Sequence, residues 1–217
     1  MRATSLRFRL AVKRALDILV AGVCLVLFSP LLVAIGLILA VTTGRPVLFR
    51  QTRLGHHGHP FELLKFRTMT DDRDDRGILL ADGERLTPIG RFLRQWSLDE
   101  LPELLNVIKG EMSMVGPRPL LPEYWDLYSS RQRRRHEMPP GMAGPVPARG
   151  RNSLSWGEKF ELDVWYVDNW SLRLDFVTFV ATLWKAFRRE GISAGDHATM
   201  PRFEGTSATA DEHGSSN

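Results

Sequence analysis

The chain has 217 residues, 25% of them charged and 43% hydrophobic, with 29 basic side chains against 25 acidic ones and a net charge of +4. That length suits one domain with an appended segment and is enough to bury a core. The single cysteine, Cys24, excludes an intramolecular disulfide and fits a reducing compartment, while the basic excess favours anionic partners: phosphates, acidic lipid or nucleic acid.

The first element is apolar. From Ile18 to Val41 the chain reads ILVAGVCLVLFSPLLVAIGLILAV, without one charged residue. The run is too long for the apolar part of a secretory signal, and no A-x-A cleavage pattern follows it. As one straight helix it would measure about 36 Å, enough to span a bilayer. Ser29-Pro30 sits at its centre, however, with eleven uncharged residues on either side. A proline kinks or breaks a helix, so each arm would reach about 16 Å, half a hydrocarbon core. Arg2, Arg7, Arg9, Lys13 and Arg14 precede the run, and Arg45, Arg50 and Arg53 follow it. Positive charge marks the cytoplasmic side, and here both ends ask for it. These residues favour a re-entrant helix-break-helix that enters and leaves by one face. The alternative is a tilted spanning helix with a tolerated proline kink.

Next, Val47–Arg53 and Phe61–Arg67 flank a Gly/His/Pro turn and predict a β-hairpin. Thr70–Gly77 is a charge-mixed surface loop. Helical spacing resumes at Ile89, Phe92, Leu93 and Trp96; a second helix follows Asp99, and a third covers Pro122–Arg135. The stretch MPPGMAGPVPARGRN reads as irregular. Periodicity returns over Trp156–Tyr166 and again from Leu172 to Phe187, where an apolar stripe either faces a core or lies in a membrane interface with Trp184, Lys185, Arg188 and Arg189 at headgroup level. The chain thus divides into a basic start and re-entrant hairpin (1–43), a folded domain (44–190) and a disordered tail (191–217). The fold class is α+β, mostly helical with a small β-hairpin.

The chemistry centres on WSLDELPELLNVIKGEMSMVGPRP, residues 96–119. Ser97-x-x-Glu100 has capping-box spacing and Pro102 marks a helix start, which puts Asp99 in a first turn. There the dipole would favour an ionised carboxylate, and free N–H groups would offer a seat for phosphate oxygens. Such a carboxylate can cap a helix, or it can attack phosphorus. Attack would need a divalent cation to shield like charges, and Mg²⁺ suits carboxylate plus phosphate. Gly116-Pro117-Arg118-Pro119 presents one guanidinium on a rigid turn, and Lys65 and Arg67 end a strand and bring two more cations. Arg131, Arg133, Arg134 and Arg135 form a charge run suited to solvent or anionic lipid. No stacking motif accompanies these dispersed cations, so nucleic acid is not expected as a partner.

These residues, with RALDILVAG…SP, PVLFRQTRLGHHGHPFELLKFRTM, RRRHEMPPGMAG and FELDVWYVDNWSLRLDF, resemble the bacterial sugar transferases, the small monotopic polyprenyl-phosphate phosphoglycosyl transferases, from about Lys13 to Phe187. The resemblance implies transfer of a sugar 1-phosphate from a nucleotide sugar, usually a UDP-sugar, to undecaprenyl phosphate. That reaction releases UMP and begins a surface glycan such as exopolysaccharide or lipopolysaccharide. It implies Asp99 as a nucleophile that also meets Mg²⁺, Glu100 as its assistant, and Ser29-Pro30 as the re-entrant break. Lys65, Arg67, Arg118, Arg135, Arg151 and Asn152 become substrate-binding candidates. The implied location is the bacterial inner membrane, with the catalytic domain on its cytoplasmic face. One segment departs: the family's P-G-I-T-G-W-A-Q-V-x-G-R-N is PGMAGPVPARGRN here, with Pro145 for Trp and Pro147 for Gln. The family's Gln after Pro102 is Glu103. The rival reading is a membrane-anchored basic scaffold in which Asp99 merely caps a helix.

Overall fold

The computed structural model describes residues 2–146, 154–188 and 202–205. Most of them are helical, and two small sheets complete the fold. Helix α1 (Arg2–Thr42) is long and apolar enough to cross a membrane by length and composition. It does not stop at Ser29-Pro30, where a break was expected: the helix continues through Pro30. The local chemistry explains how. Proline has no N–H to give the carbonyl four residues back, which is that of Val26. The hydroxyl of Ser29 donates to that same oxygen at 2.8 Å. The serine covers the acceptor that the proline orphans.

Both arms of α1 pack on the rest of the protein. Ala21 lies in the main core with Leu104, Val107, Met112 and Tyr166, and Leu10, Val20, Cys24 and Leu25 lean against it. Beyond Pro30, Ile35 and Leu39 are buried with Phe66 and Leu93. The opposite side of the helix is bare: Leu19, Val26, Val33 and Val41 are all exposed.

Strands β1 (Leu48–Leu54) and β2 (Pro60–Phe66) form the expected antiparallel hairpin, with Leu48 opposite Phe66 and Leu54 opposite Pro60. Its tip carries His57 and Gly58 at positive φ, and Gly58 is seated so close to the Trp125 ring that a Cβ would lie 2.6 Å from it. After a short helix α2 (Asp82–Arg85), helix α3 (Pro88–Gln95) starts on Thr87, whose hydroxyl accepts from Gly90 N. A 3-10 turn, Leu98–Glu100, leads into α4 (Glu103–Lys109). Arg14 of α1 donates to the carbonyls of Val107 and Ile108, capping the C-terminus of α4 with a cation.

Three expectations are corrected. The stretch after Met138 is not irregular throughout: Gly141–Ala143 (β4) pairs in parallel with Ser113–Val115 (β3). The pairing depends on Gly116 and Gly141, where a Cβ would fall 2.2 Å from Pro139 O and 2.0 Å from Gly116 N respectively. The single helix expected over Pro122–Arg135 is three pieces, because Tyr128 and Ser129 are extended: a 3-10 segment (Pro122–Leu127), α5 (Ser130–Arg133) and a 3-10 turn (Arg134–Glu137). Ser129 forms a capping box with Gln132 and so starts a new helix. In the tail, residues 202–205 are placed where disorder was expected: Phe203 is buried among Tyr124, Tyr128 and Phe160 and its N–H meets the Tyr124 hydroxyl, while the rest of 191–217 lies outside the described residues.

Helices α6 (Trp156–Asp168) and α7 (Leu172–Arg188) match the predicted pair. Leu174 and Phe179 of α7 lean on the core. Phe176, Val180, Leu183, Trp184 and Phe187 remain exposed.

Candidate active site

Strand alternation builds one wall. Phe61, Leu63 and Lys65 share a face of β2, and Arg53 stands opposite Phe61, so the face that packs inward carries two cations. Asn106 of α4 holds that wall to the acidic turn. It is fully buried, accepts from Leu64 N at 3.1 Å and donates to Glu62 O at 2.7 Å.

The paired acids take different places. Glu100 meets both Lys65 (2.7 Å) and Arg118 (2.8 Å) through one carboxylate oxygen. Asp99 is 8% exposed, and no hydrogen bond from the described residues reaches its carboxylate. The capping box expected at Ser97 does not form. Ser97 is in the left-handed region (φ 53°) and its side chain caps nothing; Asp99 sits in the 3-10 turn ahead of α4 rather than in a first α-turn. Its acidity is likewise the reverse of the expectation. Burial, with the Glu100 charge adding to it, pushes the Asp99 carboxyl up from its ordinary value; Lys65, Arg94 and Arg118 offset part of this.

A third acid completes the cluster. Glu103 is buried, 3.2 Å from Lys65, and burial pushes its carboxyl up to about 7, with Lys65 opposing. Arg53, Lys65, Glu103, Arg118, Pro119 and Gly141 surround a small crevice beside Glu100.

Arg118 is placed by the two-glycine contact. Gly116 N donates to Ala143 O and Gly141 N to Pro117 O, each at 2.9 Å, which fixes the turn on either side. Arg135, proposed from sequence as a ligand for substrate, has another position. It is 2% exposed, pairs with Asp163 at 2.7 Å and donates to the Arg118 carbonyl at 2.6 Å. It therefore holds the Arg118 backbone. Arg67 also points elsewhere, toward Met69 O and Asp71. Arg151, Asn152 and Pro147 lie outside the described residues, whereas Pro145 is described and buried. Of the residues singled out in the sequence, the structure brings Lys65, Glu100 and Arg118 into contact, with Asp99 beside Glu100. The sequence reading missed Arg53, Asn106 and Asp163, and it treated Glu103 as a minor change. The inward-facing period of β1 was the available signal for Arg53.

A divalent cation fits this arrangement in one way. Among the described residues no group of three metal-ligating side chains occurs. Asp99 offers a carboxylate that takes no hydrogen bond from the described residues and lies near the cations Lys65 and Arg118, which suits Mg²⁺, since that ion takes one or two carboxylates with substrate phosphates and water.

A two-carboxylate turn flanked by a lysine and an arginine, under a helix long enough for a membrane, defines a class. Residues 8–189 match the bacterial sugar transferase family, and the chain belongs to it. It is 50% identical to EpsL of Bacillus subtilis (strain 168), an uncharacterized sugar transferase, over 89% of this chain and 96% of that one. It is 38% identical to the exopolysaccharide production protein ExoY of Rhizobium meliloti (strain 1021), over 79% of this chain and 83% of the relative. It is also 38% identical to a UDP-glucose:undecaprenyl-phosphate glucose-1-phosphate transferase of Caulobacter vibrioides, over 79% of this chain and 68% of the relative.

Proposed function

We propose that this protein transfers a sugar 1-phosphate from a UDP-sugar to undecaprenyl phosphate, releasing UMP and starting a surface glycan. The observation that carries this reading is the contrast within the acid pair: Glu100 is occupied by Lys65 and Arg118, while Asp99 is left without a hydrogen bond from the described residues beside them. A free carboxylate next to two phosphate-binding cations is placed for attack on phosphorus.

In the first half-reaction a carboxylate oxygen of Asp99 bonds to the β-phosphorus. The bond from that phosphorus to the bridging oxygen breaks, and UMP leaves with the electron pair. In the second, an oxygen of undecaprenyl phosphate bonds to the same phosphorus and the acyl phosphate bond breaks, restoring the carboxylate. Lys65 and Arg118, oriented by Glu100, hold the phosphate oxygens; Arg135 keeps the Arg118 turn in place. Mg²⁺, held by Asp99 and the substrate phosphates, would neutralise the diphosphate charge. Burial raises the Asp99 carboxyl, and Lys65, Arg94 and Arg118 act against that shift.

The acceptor is a lipid, and the fold supports a site at the headgroup plane. Both arms of α1 pack on the same body, so the helix is held against the domain along its length, which supports a segment anchored from the cytoplasmic face of the inner membrane. The exposed row on α7, which runs to Phe187 and includes Trp184 with Arg188 over its ring, suits the interface.

The test is UMP release by purified protein in detergent with Mg²⁺, undecaprenyl phosphate and a panel of UDP-sugars, beside Asp99→Asn. Release with one sugar that is lost in the variant is the expected result. Equal release by the variant would overturn the nucleophile.

A further inference from the structure

The crevice beside the acid pair contains a cation that the proposed chemistry does not yet use. Arg53 reaches it from β1. Its guanidinium gives one N–H to Gln51 Oε1 at 2.6 Å and one, at the long distance of 3.5 Å, to Pro119 O. Its Nε is buried with no hydrogen-bond partner. Among the described residues Arg53 makes no ion pair, whereas Lys65 and Arg118 both do. A buried donor left unpaired is costly, and a buried charge without a counter-charge more so. Burial and the neighbouring Arg118 loosen the proton on Arg53, with the charges of Glu103 and Glu123 opposing from outside ion-pair distance. The charged groups facing the crevice are Arg53 from β1, Lys65 from β2, Glu103 from α4 and Arg118 from the glycine-held turn, with Glu100 behind them.

We propose that this crevice is an anion subsite that receives an oxygen of a substrate phosphate, with Arg53 as a further ligand and Glu103 as the counter-charge which that oxygen replaces. This rests on the phosphotransfer reading above. The cavity holds about 20 Å³, room for one oxygen-sized group and not for a whole phosphate. A guanidinium and an ammonium converging on one such space match the spread donors that phosphate oxygens require. Glu103 shares Lys65 with Glu100, and an arriving anion competes with it for that ammonium. The two residues therefore act with opposite sign. Removing Arg53 takes away attraction; removing the Glu103 charge takes away competition.

The experiment measures inorganic pyrophosphate binding to the full chain in detergent by calorimetry, for wild type, Arg53→Gln and Glu103→Gln. The KM for the UDP-sugar and the KM for undecaprenyl phosphate are then measured separately. Arg53→Gln should weaken pyrophosphate binding by at least about tenfold, and Glu103→Gln should tighten it. The KM that follows Arg53→Gln tells whether the oxygen belongs to the donor or to the acceptor. Arg53→Lys, which keeps the charge and loses the fork, should fall between wild type and Gln. Unchanged binding in Arg53→Gln, or weakening in both Gln variants, would overturn the subsite. If wild type binds pyrophosphate with these signs yet releases no UMP from any UDP-sugar, the subsite stands and the reaction proposed for it falls.

Discussion

Among the described residues, two clusters of buried charge are finished differently. Where α1 meets the body, Lys13 donates to Asp175 at 2.8 Å and to Val115 O at 2.9 Å. Asp175 also accepts from Tyr166 and Trp170, and Asp17 accepts from Met114 N. Each of these charges has a partner. At the crevice, Asp99 has no hydrogen bond from the described residues and Arg53 keeps an unpaired Nε. The closed cluster clamps the apolar helix to the domain. The open one carries uncompensated charge that a ligand can complete, as expected of a site rather than a staple.

Substitutions can break or sharpen that contrast. The largest effect belongs to Asp99→Asn, which should cut UMP release by at least about a thousandfold. The thermal midpoint should hold or rise, since a buried unbonded charge is removed. In the closed cluster, Asp175→Ala should do the opposite. It leaves the Lys13 ammonium without its counter-charge and should lower stability by about 3–5 kcal/mol in denaturant unfolding. An Asp175→Ala variant as stable as wild type would remove the distinction.

A smaller, pH-dependent effect follows from Glu103. Its carboxyl is raised from an ordinary 4.5 to about 7, so the folded state holds a proton that the unfolded state has lost. Stability from this group is present below 4.5 and is lost as pH rises through about 7. Denaturant unfolding at pH 5 and pH 8 should therefore show a smaller fall for Glu103→Gln than for wild type. The smallest effect is at the proline. Ser29→Ala uncovers the Val26 carbonyl and should cost about 0.5–1.5 kcal/mol. In a Pro30→Ala background the same change should cost almost nothing, because the substituted alanine supplies the N–H that proline lacks.

What the sequence disclosed follows the same division. Local patterns gave the long apolar helix, the hairpin, α6 and α7, because periodicity and caps are local. Lys65, Asp99, Glu100 and Arg118 came together through motif resemblance. The break at Ser29-Pro30 was expected because proline removes a donor; a side-chain substitute for that donor is invisible without coordinates. Ser97 matched a capping box by spacing, yet its left-handed backbone prevents one. The β3–β4 pairing and the role of Arg135 depend on contacts between distant segments, where Gly116 meets Gly141 and Arg135 meets the Arg118 carbonyl. Lys13, Asp17 and Asp175 stood in plain view at the edges of apolar runs. Nothing in their spacing says that they meet.

The most direct test of the open site is rapid-quench mass spectrometry of the peptide containing Asp99, after mixing protein with a turned-over UDP-sugar and Mg²⁺ but no lipid acceptor. A mass increase of one sugar phosphate on Asp99, absent in Asp99→Asn and discharged when undecaprenyl phosphate is added, is the predicted result. UMP release only when the acceptor is present, with Asp99 unmodified at every time point, would contradict a covalent role for Asp99.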